Sequence, residues 1–254
     1  MDNVNKTLYI PLRGKAYVSQ KGIILHDPKA EEIWAAEAFP LKGKSASRWL
    51  AYYMGMRAAV FDRWVKERMD TDPGAVVLHI GCGLDSRCQR IGGTNLWYDV
   101  DFPEVIAERR RFYEESDGCH MIGTDVMDPH WLASIPGGNA IVIMEGVSMY
   151  LSPAELRATI DRVAAHFDHI HLLMDCYTTF AAKASRYKNP INDVGVTEVY
   201  GMDDPNALEG FLQEHEMTPA DLIDELSGME RRIFRTLYAG SVAKKMYRLY
   251  EYRR

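Results

Sequence analysis

Between residues 76 and 175 the chain repeats one unit, a short apolar run ending in glycine or an acidic residue and then a stretch with helical spacing. Residues 76–80, 96–100, 120–123, 140–144 and 170–174 each read as a buried strand, apolar on both faces, as strands of a mostly parallel sheet are. Pro103 can open a helix whose inner face is Val105, Ile106, the aliphatic stem of Arg109, Phe112 and Tyr113. Ser152-Pro153-Ala154-Glu155 is a capping box, followed by Leu156, Ile160, Val163, Ala164 and Phe167 at helical spacing. Strand and helix in alternation predict a doubly wound α/β sheet.

A chain of 254 residues has room for one large domain of this kind with an appended cap. The texture changes near Pro73-Gly74. Before it, residues 46–69 carry Leu50, Tyr53, Met54, Phe61, Trp64 and Val65 on one stripe of a long amphipathic helix, and Arg57 lies on that same stripe. We therefore expect a single domain over 1–254, with an N-terminal helical cap (1–73), a core (74–175) and a substrate-side insert with C-terminal strands (176–254). Residues 244–254 alternate and read as a late strand, antiparallel and close to an edge, while 203–215 and 228–239 read as helices.

At 47% hydrophobic and 26% charged residues the chain is neither disordered, collagen-like nor coiled coil. No apolar run reaches the roughly 18 residues of a membrane span, and the first 15 residues lack the apolar core of a signal peptide, so a cytoplasmic location without membrane contact is expected. The formal charge of −6 gives no counterion-release affinity for nucleic acid, and Arg109-Arg110-Arg111, Arg231-Arg232 and Arg253-Arg254 read as solvated faces. Cys82, Cys88, Cys119 and Cys176 form no CxxC pair and no zinc-spaced cluster, so reduced thiols and no metal site are expected.

In an open α/β sheet ligands collect at the carboxyl ends of the strands. The first strand ends in Gly81-Cys82-Gly83-Leu84-Asp85-Ser86-Arg87, where two glycines let the backbone turn sharply and approach a ligand. Ser86 occupies the place of the third glycine in a dinucleotide fingerprint, which argues against a pyrophosphate and a nicotinamide enzyme. The second strand ends in Asp99-Val100-Asp101, and Asp101 lies 20 residues after Gly81, the offset of a ribose-binding carboxylate. Asp99 and Asp101 share a face, so spacing leaves the choice between them open, and either can cap the next helix. The third strand ends in Gly123-Thr124-Asp125-Val126 and the fourth in Glu145-Gly146. The series reads as a nucleoside site that needs neither metal nor phosphate. Arg57, a guanidinium on an apolar stripe, needs a buried anion, either a ligand or a structural partner.

The runs VVLHIGCGLDSR, YDVDFPEVI, GTDVMD and MEGVSMYLSPAEL, with DPKAEEI, MRAAVFDRWV, VYGMDDP and the tail KKMYRLYEYR, resemble in order and spacing the leucine carboxyl methyltransferase family, and in particular its polyketide O-methyltransferase branch. The resemblance implies a Rossmann-like seven-stranded sheet and S-adenosyl-L-methionine as cofactor. It puts Arg57 on the methionine carboxylate, Gly81 against the methionine moiety, Gly83 at the cofactor, Asp101 on the ribose, Asp125 and Val126 at the adenine, and Glu145 at the methionine amino group. Cys82 departs from the alanine usual in the family.

Methyl transfer to oxygen is an in-line displacement from an already activated donor, so the protein mainly aligns the reactants and excludes water. A carboxylate acceptor needs no base near neutral pH; a phenol does. Tyr150, Tyr177, Tyr200 and His79 are the candidate bases, and their scarcity favours a carboxyl acceptor. The acceptor site is expected between the cap and residues 176–216, where Trp49, Tyr52, Tyr53, Tyr177, Phe180, Tyr187 and Tyr200 offer walls for a small, flat or apolar molecule. The other readings are a protein C-terminal carboxyl methyltransferase and a non-catalytic S-adenosylmethionine-binding domain. The sequence suits a monomer or a homodimer.

Overall fold

The β1 strand, Val76–Ile80, is buried at all five positions, and its side chains alternate between two separate cores. Val76, Leu78 and Ile80 join one cluster, Val77 the other. The computed structural model describes residues 5–37, 39–188, 198–217, 222–224, 226–237 and 245–254. Around β1 lie β2 (Trp97–Asp101), β3 (Cys119–Gly123), β4 (Asn139–Met144), β5 (His169–Tyr177), β6 (Leu212–Met217) and β7 (Tyr247–Arg253). They form one seven-stranded sheet in the order β3-β2-β1-β4-β5-β7-β6. The first five strands are parallel, and β7 runs antiparallel to both β5 and β6.

Eight helices accompany the sheet in the described residues: α1 (Tyr9–Gln20), α2 (Pro28–Glu37), α3 (Arg48–Thr71), α4 (Arg87–Ile91), α5 (Pro103–Arg109), α6 (Pro153–His166), α7 (Thr179–Lys188) and α8 (Gly228–Leu237). On one face α6 packs Leu156, Ile160 and Val163 over Leu78, Val142, Leu172 and Tyr252. On the other, α3 lays Phe61, Trp64 and Val65 over Val77, Ile141, Leu173 and Leu249. The α6 capping box forms as the sequence predicts, with Ser152 and Glu155 satisfying each other's backbone N–H. The α3 helix starts at Ser47, whose hydroxyl accepts from the Trp49 N–H at 3.2 Å.

The cap owes its position to two glycines. A Cβ on Gly14 of α1 would lie 2.4 Å from the Met54 Cβ, and a Cβ on Gly55 of α3 would lie 2.6 Å from Val18 Cγ2. Only hydrogen at both sites lets α1 cross α3 this closely, and the crossing brings the start of α1 over the carboxyl ends of the strands. No described helix is long and apolar enough to cross a membrane.

Two expectations need correction. Residues 203–215 are not a helix: a 3₁₀ turn at Pro205–Ala207 precedes β6. The β6 sequence LQEHEM is an edge strand with no fully buried position, so it carries no apolar alternation, and its state is set by pairing with β7. The late strand is antiparallel and close to an edge, as expected, with β6 closing the sheet outside it. Arg109 is no solvated residue either: fully buried, its guanidinium bonds Asp99 and the carbonyls of Gly83 and Asp85. The ends of the stretches predicted as helix over 228–239 and strand over 244–254 reach outside the described residues.

Candidate active site

A cavity of 710 Å³ opens at the carboxyl ends of β1, β2 and β4, roofed by the start of α1, by α3 and by α7. That is well within the range of roughly 300–1000 Å³ seen for small-molecule sites. Its floor is the glycine turn after β1. Gly81 and Gly83 adopt φ of +69° and +51°, and a Cβ on Gly81 would lie 2.1 Å from Val147 Cγ2. Both conditions require glycine at 81.

The structure separates the two acids of β2. Asp99 is fully buried, facing His79 Nδ1 at 3.1 Å and the Arg109 guanidinium, which together bring its carboxyl below the usual range despite burial. Asp101 lines the cavity. Its Oδ2 accepts the Gly83 N–H and its Oδ1 the Phe102 N–H, each at 2.8 Å. Burial raises its carboxyl above the usual range even so. Val126 lines the same end of the cavity, whereas Asp125 is exposed outside the lining, its Oδ1 accepting the Met127 N–H at 2.8 Å.

The opposite end is a buried ion network. Arg57 donates from Nε to Glu145 Oε1 at 2.8 Å, and from Nη1 to Asp175 Oδ2 at 3.0 Å and to the Tyr247 hydroxyl at 2.8 Å. The sequence-predicted pair Arg57 and Glu145 is thus brought together, with each bound to the other. Glu145 also takes Arg87, and the two guanidiniums outweigh burial and bring its carboxyl down to about 2. Lys15 of α1, 3% exposed, reaches the cavity beside Asp85 at 3.1 Å.

The candidate bases fare unevenly. His79 lines the cavity floor, but a tautomer that donates from Nδ1 to Asp99 and accepts at Nε2 from Arg87 at 3.4 Å occupies both ring nitrogens. Tyr150 and Tyr177 line the acceptor side, and burial pushes the Tyr150 phenol up. Tyr200 is not in the lining; its N–H bonds the Met149 carbonyl at 2.8 Å. Of the expected aromatic walls, Tyr53 and Tyr177 serve, while Trp49 and Tyr52 pack against Phe234 with ring centroids 5.9 and 5.7 Å away. Phe180 points outward, 66% exposed, and the side chain of Tyr187 lies outside the described residues.

Sequence reading missed Lys15, Asp175 and Tyr247. Asp175 follows directly on the strand read as 170–174 and carried the same signal as the other strand-end acids. Tyr247 sits in an alternating tail where nothing distinguishes it from its neighbours. The metal-ligand grouping found among the described residues, His171, Glu214 and Glu251, has ligand atoms within 4.8 Å of one another. It lies near the amino end of β5, far from the cavity, and Arg68 already bridges toward its carboxylates.

Comparison with known proteins decides the family. The model of the leucine carboxyl methyltransferase family matches residues 13–164. The chain belongs to that family. It is an S-adenosylmethionine-dependent methyltransferase, with S-adenosylmethionine as its cofactor. Among its relatives, the tetracenomycin polyketide synthesis O-methyltransferase TcmP of Streptomyces glaucescens is 32% identical over 213 residues, 82% of this chain and 79% of that protein. The S-adenosyl-L-methionine-dependent methyltransferase dpfgK of Gibberella zeae is 27% identical over 183 residues, 65% of this chain and 61% of that protein. A solved duf574 family protein from Streptomyces avermitilis shares the fold with a TM-score of 0.58 at 13% identity, over 94% of this chain and 96% of that one. Magnesium protoporphyrin IX methyltransferase from Synechocystis PCC 6803, solved with bound SAH, superposes with a TM-score of 0.50 at 14% identity, over 89% and 93% of the two chains. The family chemistry therefore sits on a Rossmann-like seven-stranded sheet, as the sequence predicts.

Proposed function

We propose that this methyltransferase esterifies a carboxylate on a small, flat, largely apolar molecule of polyketide type. The residues fit the cofactor. Arg57 Nη2 takes no hydrogen bond among the described residues and lies where Gly146 lacks a Cβ, so it offers N–H donors to the methionine carboxylate, with Lys15 adding positive charge. Glu145 faces the methionine amino group, Asp101 the ribose hydroxyls, and Val126 the adenine, with Asp125 at its rim. Gly81 and Gly83 let the backbone approach. The bound cofactor supplies a methyl group on a positively charged sulfur. Tyr53, Tyr150 and Tyr177 form the wall against which the acceptor lies flat, and exclude water from its oxygen.

The observation that carries the carboxyl reading is the state of His79, Glu145 and Tyr150 in the cavity lining. His79 is committed at both nitrogens, Glu145 is clamped between two guanidiniums, and the Tyr150 phenol is held protonated by burial. An acceptor that arrives ionised needs no proton removed, and a carboxylate is ionised at neutral pH. The likeness to TcmP supports the polyketide character of the acceptor.

Product chemistry tests this. With an aromatic polyketide acid as acceptor, the methylated product should release methanol in mild alkali, and single-turnover transfer should be nearly flat from about pH 6 to pH 9. A base-stable ether formed at a rate rising with pH would overturn the carboxyl reading.

A further inference from the structure

We propose that Tyr247 and Asp175 are positioning residues which set the donor-facing edge of Arg57, so that the C-terminal strand holds the methionine end of the cofactor. The proposal rests on the reading of the cavity given above. A guanidinium has five N–H donors in a fixed plane, so its open edge is determined by which of the others are taken. Here Nε is taken by Glu145, and Nη1 by Asp175 and Tyr247. Nη2 is left, beside Gly146, where an added Cβ would stand 3.3 Å away. The plane of Arg57 is thus fixed by Glu145 just after β4, Asp175 of β5 and Tyr247 of β7, and the donors that remain belong to a side chain that lines the cavity.

Asp175 cannot swing away, because its Oδ1 accepts the Gly146 N–H at 2.7 Å while its Oδ2 takes Arg57. Tyr247 closes the ring, donating to Asp175 and accepting from Arg57 Nη1. Its hydroxyl is placed by packing of the phenol, which lies edge-on to Tyr53 and Tyr177 with centroids 5.8 and 5.5 Å away. The same side chain therefore walls the acceptor side with its ring and orients the donor-binding cation with its oxygen.

The two halves of the cofactor can be tested separately with the full chain. S-Adenosylhomocysteine carries the methionine-derived carboxylate; 5′-deoxy-5′-methylthioadenosine has the nucleoside and sulfur without it. Calorimetric titration of Tyr247→Phe, which keeps the ring, should show S-adenosylhomocysteine binding weakened fivefold or more and methylthioadenosine binding within twofold of the wild type. Asp175→Asn should show the same pattern. In an Arg57→Lys background, where the fork is already lost, Tyr247→Phe should change S-adenosylhomocysteine affinity less than twofold. Equal weakening of both ligands would reveal a general structural role and overturn the proposal, as would unchanged binding of both, or a full loss repeated in the Arg57→Lys background. Failure of the wild-type protein to bind either ligand would instead overturn the reading of the cavity on which it rests.

Discussion

Asp99 and Asp101 stand two residues apart on one strand, yet the structure gives them opposite work. Asp99 neutralises Arg109 inside the fold, and Asp101 braces the glycine turn and faces the cavity. Asp101→Ala should weaken S-adenosylhomocysteine binding tenfold or more, since charge-assisted hydrogen bonds contribute about 1.5–3 kcal/mol each, while the fold survives. Asp99→Ala should leave binding by the folded protein unchanged and lower its stability by about 3–5 kcal/mol, because Arg109 is left buried without its anion. Titration calorimetry and urea unfolding on both variants check this, and the reverse pattern would mean that the carboxylates are misassigned. Residue identity was legible where chemistry is local: strand-end acids, turn glycines and a guanidinium on an apolar stripe all show in sequence. Which acid turns inward was not legible, because it depends on His79 and Arg109 arriving from other elements.

At the scale of elements, period and punctuation revealed the buried strands and the two long helices packed on them, but not α1, with its buried Tyr9, Leu12, Ala16 and Val18. The five parallel strands, α3 and α6 have apolar faces that sequence displays directly, and the α6 capping box marks its own start. The β6 strand was illegible because an exposed edge strand has no buried face to encode, and its hydrogen bonds to β7 come from 30 or more residues away in the chain. The crossing of α1 over α3 was equally hidden, since a glycine in a helix looks like a propensity defect until its neighbour is known. Gly55→Ala should therefore destabilise the protein by about 1–3 kcal/mol, in contrast to the gain expected for glycine-to-alanine in an open helix. Ser152→Ala should cost about 1 kcal/mol through the lost cap. Urea midpoints measure both, and a stabilised Gly55→Ala would refute the close crossing.

Across the whole molecule, the ion network from Lys15 through Asp85, Arg87 and Glu145 to Arg57 and Asp175 ties the cap to the strand ends. Arg87 and Arg57 hold Glu145 down to about 2, and Arg87, Lys15 and Arg90 hold Asp85 well below the ordinary range against burial. A carboxyl whose folded pKa is depressed binds fewer protons folded than unfolded, so its stabilisation is complete above the unfolded pKa near 4 and is lost as pH falls toward 2. Asp101 and Asp175, raised by burial, act in the opposite sense and offset part of the loss. Unfolding free energy should thus fall below about pH 5, and Glu145→Gln should be less stable at pH 7 with a shallower acid slope. Parallel slopes in urea titrations at pH 7, 5 and 3.5 would contradict the network. The central claim is that one cavity orients the cofactor between Asp101 and Arg57 with its sulfur toward the tyrosine wall. A crystal structure grown with S-adenosylhomocysteine tests it most directly: it should show the ribose hydroxyls on Asp101, the carboxylate on Arg57 Nη2 and the sulfur facing Tyr53 and Tyr177, whereas a nucleoside bound away from Asp101, or a carboxylate that leaves Arg57 untouched, would contradict it.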